Sequence, residues 1–210
     1  MPVRKVRNGP SGKIITRFHG FKAYSEIIAE SQLEQRACFY LELNPQVIYF
    51  ESQPLHLEYL YEGEVHRYTP DFLVAYDSGE TALLEIKPFV IVNTLKFRVW
   101  KRAIAEAAGK LGYKLEILTD LDLSGPHMAN AKLLFRYLSP KPDRRMTAEF
   151  EGCLADHMTL GDARLKCLQM SFPSELPFQL MATHQITFDW DVLISSRTLL
   201  SPRKNCGGES

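Results

Sequence analysis

No run of apolar residues in this 210-residue sequence approaches the ~20 needed to cross a bilayer as a helix, so a helical membrane protein is excluded. The basic stretch from Met1 to Gly20 lacks a continuous apolar segment and does not read as a secretory signal. Cysteine is scarce. Cys38, Cys153, Cys167 and Cys206 lie far apart with no C-x-x-C pair, so neither a zinc site nor a disulfide framework follows, and reduced thiols in a cytoplasm are the expectation. There is no glycine-rich phosphate loop, no H-E-x-x-H and no nucleophilic serine context, so nothing points to a P-loop nucleotidase, a zinc protease or a serine hydrolase. Internal repeats and low-complexity segments are also missing. Finally there is no net charge: 25 basic residues balance 25 acidic ones, which at first sight argues against a nucleic-acid partner.

The charges that are present are segregated. From Met1 to Lys22 come Arg4, Lys5, Arg7, Lys13, Arg17 and Lys22 without a single acid. From Thr94 to Lys114 come Lys96, Arg98, Lys101, Arg102, Lys110 and Lys114 against Glu106 alone. Carboxylates dominate between the two stretches. Such a distribution suits a protein that holds phosphates at its flanks, with Arg4, Lys5, Arg7, Lys13, Arg17, Lys96, Lys101 and Arg102 as candidate DNA contacts, and metal ions at its centre. At 45% hydrophobic residues the chain has material for a sizeable core.

Patterning predicts an irregular arm over residues 4–21, with Gly9, Pro10, Gly12 and Gly20, then a helix from about Glu30 to Leu43 opened by Ser31 and closed by Asn44-Pro45. Its apolar side is Leu33, Ala37, Tyr40 and Leu41. A short β-rich run at Val47–Phe50 precedes an expected β-meander of His56–Tyr61, Val65–Tyr68, Phe72–Tyr76 and Thr81–Ile86, with turns near Glu62-Gly63 and Asp77-Ser78-Gly79. Helical spacing over Asn93–Leu111 puts Leu95, Val99, Ala103, Ile104 and Ala107 on one side, and Lys114–Leu118 reads as another strand. After Leu121–Pro126 the character changes. Helices are expected at Ala129–Leu138, Thr147–His157, Leu160–Leu168 and Leu176–Thr183, a strand pair at Gln185–Phe188 and Val192–Ser195, and a frayed tail at Cys206–Ser210. The fold class is therefore α/β: a mixed sheet flanked by helices over residues 1–122, and a small, mostly helical, winged-helix-like module over residues 123–210.

The stretch that carries chemistry is Thr69-Pro70-Asp71-Phe72 with Leu83-Leu84-Glu85-Ile86-Lys87-Pro88. Side chains alternate along a strand, so Glu85 and Lys87 share a face, and Asp71 at the start of the neighbouring strand lies across the ladder from Glu85. Two carboxylates and one ammonium on one face are expensive to bury without a counter-ion. Magnesium answers that need, taking Asp71, Glu85 and the carbonyl of Ile86 as oxygen ligands and leaving the rest to water or phosphate. Lys87 then orients the attacking water and offsets phosphate charge. This is the P-D…(D/E)-x-K pattern of metal-dependent nucleases. By itself it is weak, since a strand start and a solvent-facing ion pair produce the same letters; the apolar flanks and the basic helix that follows single it out. A third carboxylate is expected from the preceding helix, with Glu34 first and Glu30 second. Ser31-x-x-Glu34 is equally the pattern of a capping box, and spacing does not separate the two. His56, His66 and Tyr68 carry no expected role.

Taken in order, Glu30-Ser31-Gln32-Leu33-Glu34, Leu43-Asn44-Pro45-Gln46-Val47, Gln53-Pro54, Tyr68-Thr69-Pro70-Asp71-Phe72, Glu85-Ile86-Lys87-Pro88 and Lys114–Asp120 resemble the nuclease domain of the TnsA family, the endonuclease subunits of heteromeric transposases. The resemblance covers most of residues 1–120 and implies a restriction-endonuclease-like fold. It implies Glu34, Asp71 and Glu85 as metal ligands, Lys87 as the catalytic lysine and Gln53 as a supporting or weak ligand. One or two magnesium ions, replaceable by manganese, would serve cleavage of the non-transferred strand at transposon ends. The implied partners are the transposon-end DNA, a DDE-type transposase (TnsB-like) that cuts and joins the other strand, and an AAA+ ATPase regulator (TnsC-like). Other readings are a stand-alone nuclease of the same fold, such as a restriction, resolvase or repair enzyme, and a non-catalytic module that binds the ATPase.

Overall fold

The computed structural model describes residues 5–6, 15–155 and 158–203, which fall into two compact units dividing at Ser124 and Gly125. In the first unit, β1 (Lys5–Val6), β2 (Ile15–Phe18) and β3 (Ile27–Ala29) form a small antiparallel sheet. The region expected to be an irregular arm therefore contains strand. Thr16 and Phe18 alternate into the core while Arg17 points out, a pattern the surrounding glycines obscured. Helix α1 (Gln32–Leu43) follows, starting where Ser31 accepts the Glu34 N–H and ending at Asn44 before Pro45. It buries Ala37, Cys38, Phe39, Leu41, Glu42 and Leu43.

The main sheet is built from β4 (Val47–Ser52), then, after the hairpin β5 (Leu57–Tyr61) and β6 (Glu64–Tyr68), from β7 (Phe72–Tyr76) and β8 (Thr81–Ile86). A short helix α2 (Phe89–Val92) and the long α3 (Leu95–Lys110) lead to β9 (Lys114–Leu118). Strand order is β4-β7-β8-β9, antiparallel except for the β8–β9 pair, which α3 joins as a parallel crossover. The expected single meander is thus corrected. The β5–β6 hairpin stands apart as a two-stranded sheet, and β7 pairs with β4 instead of β6. Thr69-Pro70 ends the hairpin, because Pro70 brings no N–H to a ladder and its ring fixes the local backbone.

Alternation gives the sheet two apolar faces. Leu73 and Leu83 join Leu57 from the hairpin and Ile104 and Ala108 from α3 in one core cluster, with Tyr68 and Trp100 packed against it. Phe50 and Phe72 meet edge-on, ring centroids 6.1 Å apart, and Phe50 continues to Phe18 and Phe39 of the α1 layer. The expected stripe on α3 needs correcting. Its buried positions are Phe97, Ile104 and Ala108, with Trp100 partly covered, while Leu95 and Val99 are exposed at 76% and 49%. Segment 22–24 covers the outer edge of β4: Tyr24 N–H donates to the Phe50 carbonyl and Phe50 N–H to that of Lys22. The buried Glu42 carboxylate holds this segment by accepting the Phe21 and Lys22 N–H groups.

The second unit contains α4 (Gly125–Leu134) running into a 3-10 turn at Phe135–Tyr137, then α5 (Arg144–Glu151), β10 (Met158–Thr159), α6 (Leu160–Gln169), α7 (Leu176–Ala182), β11 (Ile186–Thr187) and β12 (Leu199–Pro202). Its strands pair antiparallel in the order β10-β12-β11. The second strand expected at Val192–Ser195 lies instead at Leu199–Pro202. The intervening loop is tied down through Asn130, whose amide donates to the Trp190 and Val192 carbonyls and whose oxygen accepts the Ile194 N–H. Those side-chain bonds replace a ladder there. The molecule is mixed α/β, with seven α-helices among the described residues. Cys206–Ser210 lies outside the described residues.

Candidate active site

Strands β7 and β8 bring the acidic residues together. The register Phe72↔Leu84 and Leu73↔Leu83 sets Asp71, one step before β7, opposite Glu85 near the end of β8. Both face the side of the sheet that carries Leu73 and Leu83. Asp71 Oδ2 accepts the Ile86 N–H at 2.7 Å, which locks its carboxylate onto the neighbouring strand. On the other side the Asp71 carbonyl accepts the Gln53 N–H at 3.0 Å. Gln53 reaches that bond from a left-handed backbone, φ 48°, and its side chain is exposed. Its contact with the site is therefore through the main chain.

Glu85 is 2% exposed. Its two oxygens have different partners: Lys87 Nζ forms an ion pair with Oε1, and the Tyr68 hydroxyl donates to Oε2. The Lys87 side chain is 38% exposed, so the ammonium stands between the buried carboxylates and solvent. Just beyond it, Lys87 N–H donates to the Leu118 carbonyl of β9, and Phe89 N–H donates to Asp120 Oδ1 at 2.6 Å. The chain therefore leaves the site along a fixed path.

The electrostatics follow from this crowding. Burial pushes the Asp71 carboxyl up to about 6, the Glu85 charge adds to the rise, and the Ile86 N–H and Lys87 ammonium only partly oppose it. Burial pulls Lys87 down, but the Glu85, Asp71 and Glu34 carboxylates outweigh it and leave the ammonium above its ordinary value. The Tyr68 hydroxyl is driven up strongly by burial and by Glu85, so it stays a protonated donor.

Glu34 sits at the start of α1 in a reciprocal cap. Its Oε2 accepts the Glu30 N–H at 2.9 Å, and its Oε1 accepts the Ser31 hydroxyl at 2.8 Å. Its charge is felt at Lys87, but its carboxylate is engaged with the cap. Among the described residues no three His, Cys, Asp or Glu side chains gather as a preformed metal cluster. The donor set at Asp71 and Glu85 nonetheless fits a hard divalent cation. Two carboxylates with one ammonium leave acidity to be neutralised, as the raised Asp71 shows, and the Ile86 carbonyl lies in the same strand end.

Of the basic candidates, Lys96, Lys101 and Arg102 are exposed on α3. Arg17 is paired with Glu26 at 3.0 Å. Arg4, Arg7 and Lys13 lie outside the described residues, and Lys5 is described only as a strand position of β1. Tyr68 is the site residue that sequence reasoning missed. The available signal was its place in Tyr68-Thr69-Pro70-Asp71, at the strand end that leads directly into the acid. His56 lies with Nδ1 2.7 Å from Thr69 Oγ1. A groove of about 680 Å³ between β5 and α3, lined by Tyr59, Tyr61, Val99, Arg102 and Ala107 among others, includes none of Asp71, Glu85 or Lys87.

Two acids and a lysine in P-D…E-x-K order, on adjacent strands of a mixed sheet, are the furniture of a nuclease domain. Residues 44–120 match the family model described as TnsA-like endonuclease N terminal, and this stretch is a TnsA-like endonuclease N-terminal domain. The match takes in Gln53, Asp71, Glu85, Lys87 and the cations of α3; Glu34 and the second unit lie outside it. No curated protein matches the chain.

Proposed function

We propose that the chain is the magnesium-dependent endonuclease subunit of a heteromeric DNA transposase, cleaving the non-transferred strand at transposon ends. The observation that carries the reading is the meeting of Asp71, Glu85 and Lys87 on one sheet face inside the TnsA-like stretch. The element series α1, β4, β7, β8, α3, β9, with the β5–β6 hairpin inserted, supports a restriction-endonuclease-like core for a domain over 1–122. In the second domain, 123–210, the order α5, β10, α6, α7, β11, β12 with sheet order β10-β12-β11 supports a winged-helix-like module. Because α7 is mostly buried and carries no basic residue, that module suits a protein partner better than a base-reading role.

Asp71, Glu85 and the Ile86 carbonyl would hold one or two magnesium ions, or manganese in their place, with Glu34, whose carboxylate is held in the α1 cap, as the further candidate ligand. Gln53 supports the site by fixing the Asp71 backbone. The metal supplies a Lewis acid toward the phosphodiester and makes water a better nucleophile at neutral pH. Lys87 stands at the solvent side of the carboxylates, where its ammonium offsets phosphate charge and hydrogen-bonds the attacking water. Lys96, Lys101 and Arg102, with the basic arm of Arg4, Lys5, Arg7, Lys13 and Arg17, hold phosphates without reading bases. Position is then set by a DDE-type transposase bound at the ends, and timing by an AAA+ ATPase. The test is cleavage of end-bearing DNA by the chain with those partners in magnesium. The parent protein nicks one strand at each end and Asp71→Ala does not. A variant that nicks at the parental rate would make Asp71 structural and the mechanism wrong.

A further inference from the structure

The Glu85 carboxylate is held by two groups, and only one of them belongs to the E-x-K motif. The other is Tyr68, from the last position of the β5–β6 hairpin, which is not part of the main sheet. Its ring does not reach the site as a loose side chain. It packs edge-on against Trp100, centroids 5.2 Å apart and planes at 86°, and Trp100 in turn packs against Phe97 at 5.1 Å. Both partners are on α3, and Tyr68 and Trp100 border the core cluster of Leu57, Leu73, Leu83, Ile104 and Ala108. The phenol is therefore clamped by the hairpin, the sheet and the basic helix together. A single short strand end cannot by itself fix the rotation of a carboxylate about its last bond. Here Lys87 takes Oε1 and Tyr68 takes Oε2, so the carboxylate plane is determined. Each carboxylate oxygen keeps a second lone pair, and the Asp71 carboxylate, itself hydrogen-bonded to Glu85, lies on the same side of the sheet.

We infer that Tyr68 is a positioning residue: its hydroxyl, clamped through Trp100 to α3, orients the Glu85 carboxylate so that its open lone pairs and those of Asp71 converge on one divalent cation. The inference rests on the nuclease reading and adds a residue to it. Partners that orient a metal-binding side chain through its other atoms are worth ten- to a hundredfold in metal affinity. A packing role alone is fulfilled equally well by phenylalanine, which keeps the ring and drops only the hydroxyl.

The experiment is Mn²⁺ binding to the full chain, parent against Tyr68→Phe, by electron paramagnetic resonance of free Mn²⁺. It is run without DNA, well below the thermal midpoint of both proteins so that any difference in stability does not enter. The parent binds Mn²⁺ and Tyr68→Phe binds about ten- to a hundredfold more weakly. In the assembled cleavage reaction, the metal concentration at half-maximal rate rises by a similar factor, and the rate at saturating metal falls far less. A second readout comes from a Trp190→Phe background, in which Trp100 is the remaining tryptophan. Mn²⁺ changes Trp100 emission in both proteins, and in Tyr68→Phe the change needs about ten- to a hundredfold more Mn²⁺. Equal Mn²⁺ affinity in the two proteins overturns the assignment of Tyr68 and leaves the nuclease reading standing. Failure of the parent to bind Mn²⁺ at all overturns both.

Discussion

At Asp71 the chain holds a carboxylate where water does not fully solvate it and another carboxylate stands opposite, and the cost is visible without any metal. The unfolded chain releases this proton near 3.8 and the folded one at about 6. Between those values the folded state keeps the extra proton, so metal-free stability falls as pH rises through the window and stays reduced above it. In chelator, Asp71→Asn removes the penalty while still accepting the Ile86 N–H. It should match the parent near pH 3.5 and exceed it by about 2 kcal/mol at pH 7.5, after allowance for partial exposure. Denaturant titrations at the two pH values check this. A parent that gains stability relative to the variant on going from acid to neutral would mean Asp71 is paired, not crowded. At this same scale the sequence was informative about Asp71, Glu85 and Lys87, because strand alternation and a two-residue spacing are local facts. Tyr68 was harder to read, because its partner lies seventeen residues away across a hairpin and only its place just before Pro70-Asp71 hints at the contact. For Glu34, the letters of a cap and of a ligand coincide, and the structure shows the carboxylate bonded to Glu30 and Ser31.

Among the elements, β7, β8 and β9 begin and end where the apolar runs and turn residues placed them: β7 and β8 are largely buried runs and β9 a half-buried one, bounded by Asp77-Ser78-Gly79, Pro88 or Gly112. What could not be read was which strand lies beside which. The hairpin precedes β7 in sequence, yet β4 takes the edge of β7, and apart from Thr69-Pro70 ending the hairpin no residue within the strands announces that choice. Helix α3 was misread for a related reason. It carries two apolar stripes, and only contact with the sheet decides that Phe97, Ile104 and Ala108 go inside while Leu95 and Val99 stay out. The same packing turns Lys96, Lys101 and Arg102 to solvent. If these cations hold phosphates, replacing all three by alanine lowers the slope of log affinity against log salt by about 0.9 for each phosphate no longer neutralised, hence about 2 to 3 in total. DNA binding measured across a salt series reads this directly, and an unchanged slope would leave α3 merely solvated.

As a whole, the molecule has no excess of positive charge and presents two units of which only the first carries the acids. Non-specific affinity from two modest basic segments is low at physiological salt, on the order of 10⁻⁴–10⁻⁶ M. Under the proposed function, a partner already bound at a transposon end would raise the local concentration of the scissile phosphate to about the millimolar range for a short tether. Efficient, position-specific cleavage is therefore expected of the assembly and not of the isolated chain. The most direct measurement follows both strands of end-labelled DNA in the complete reaction with Lys87→Ala. Cutting of the non-transferred strand is abolished while the partner still joins the other strand, so the product is a branched, cointegrate-type molecule in place of an excised element. Robust, site-specific double-strand cutting by the isolated parent chain would contradict the account.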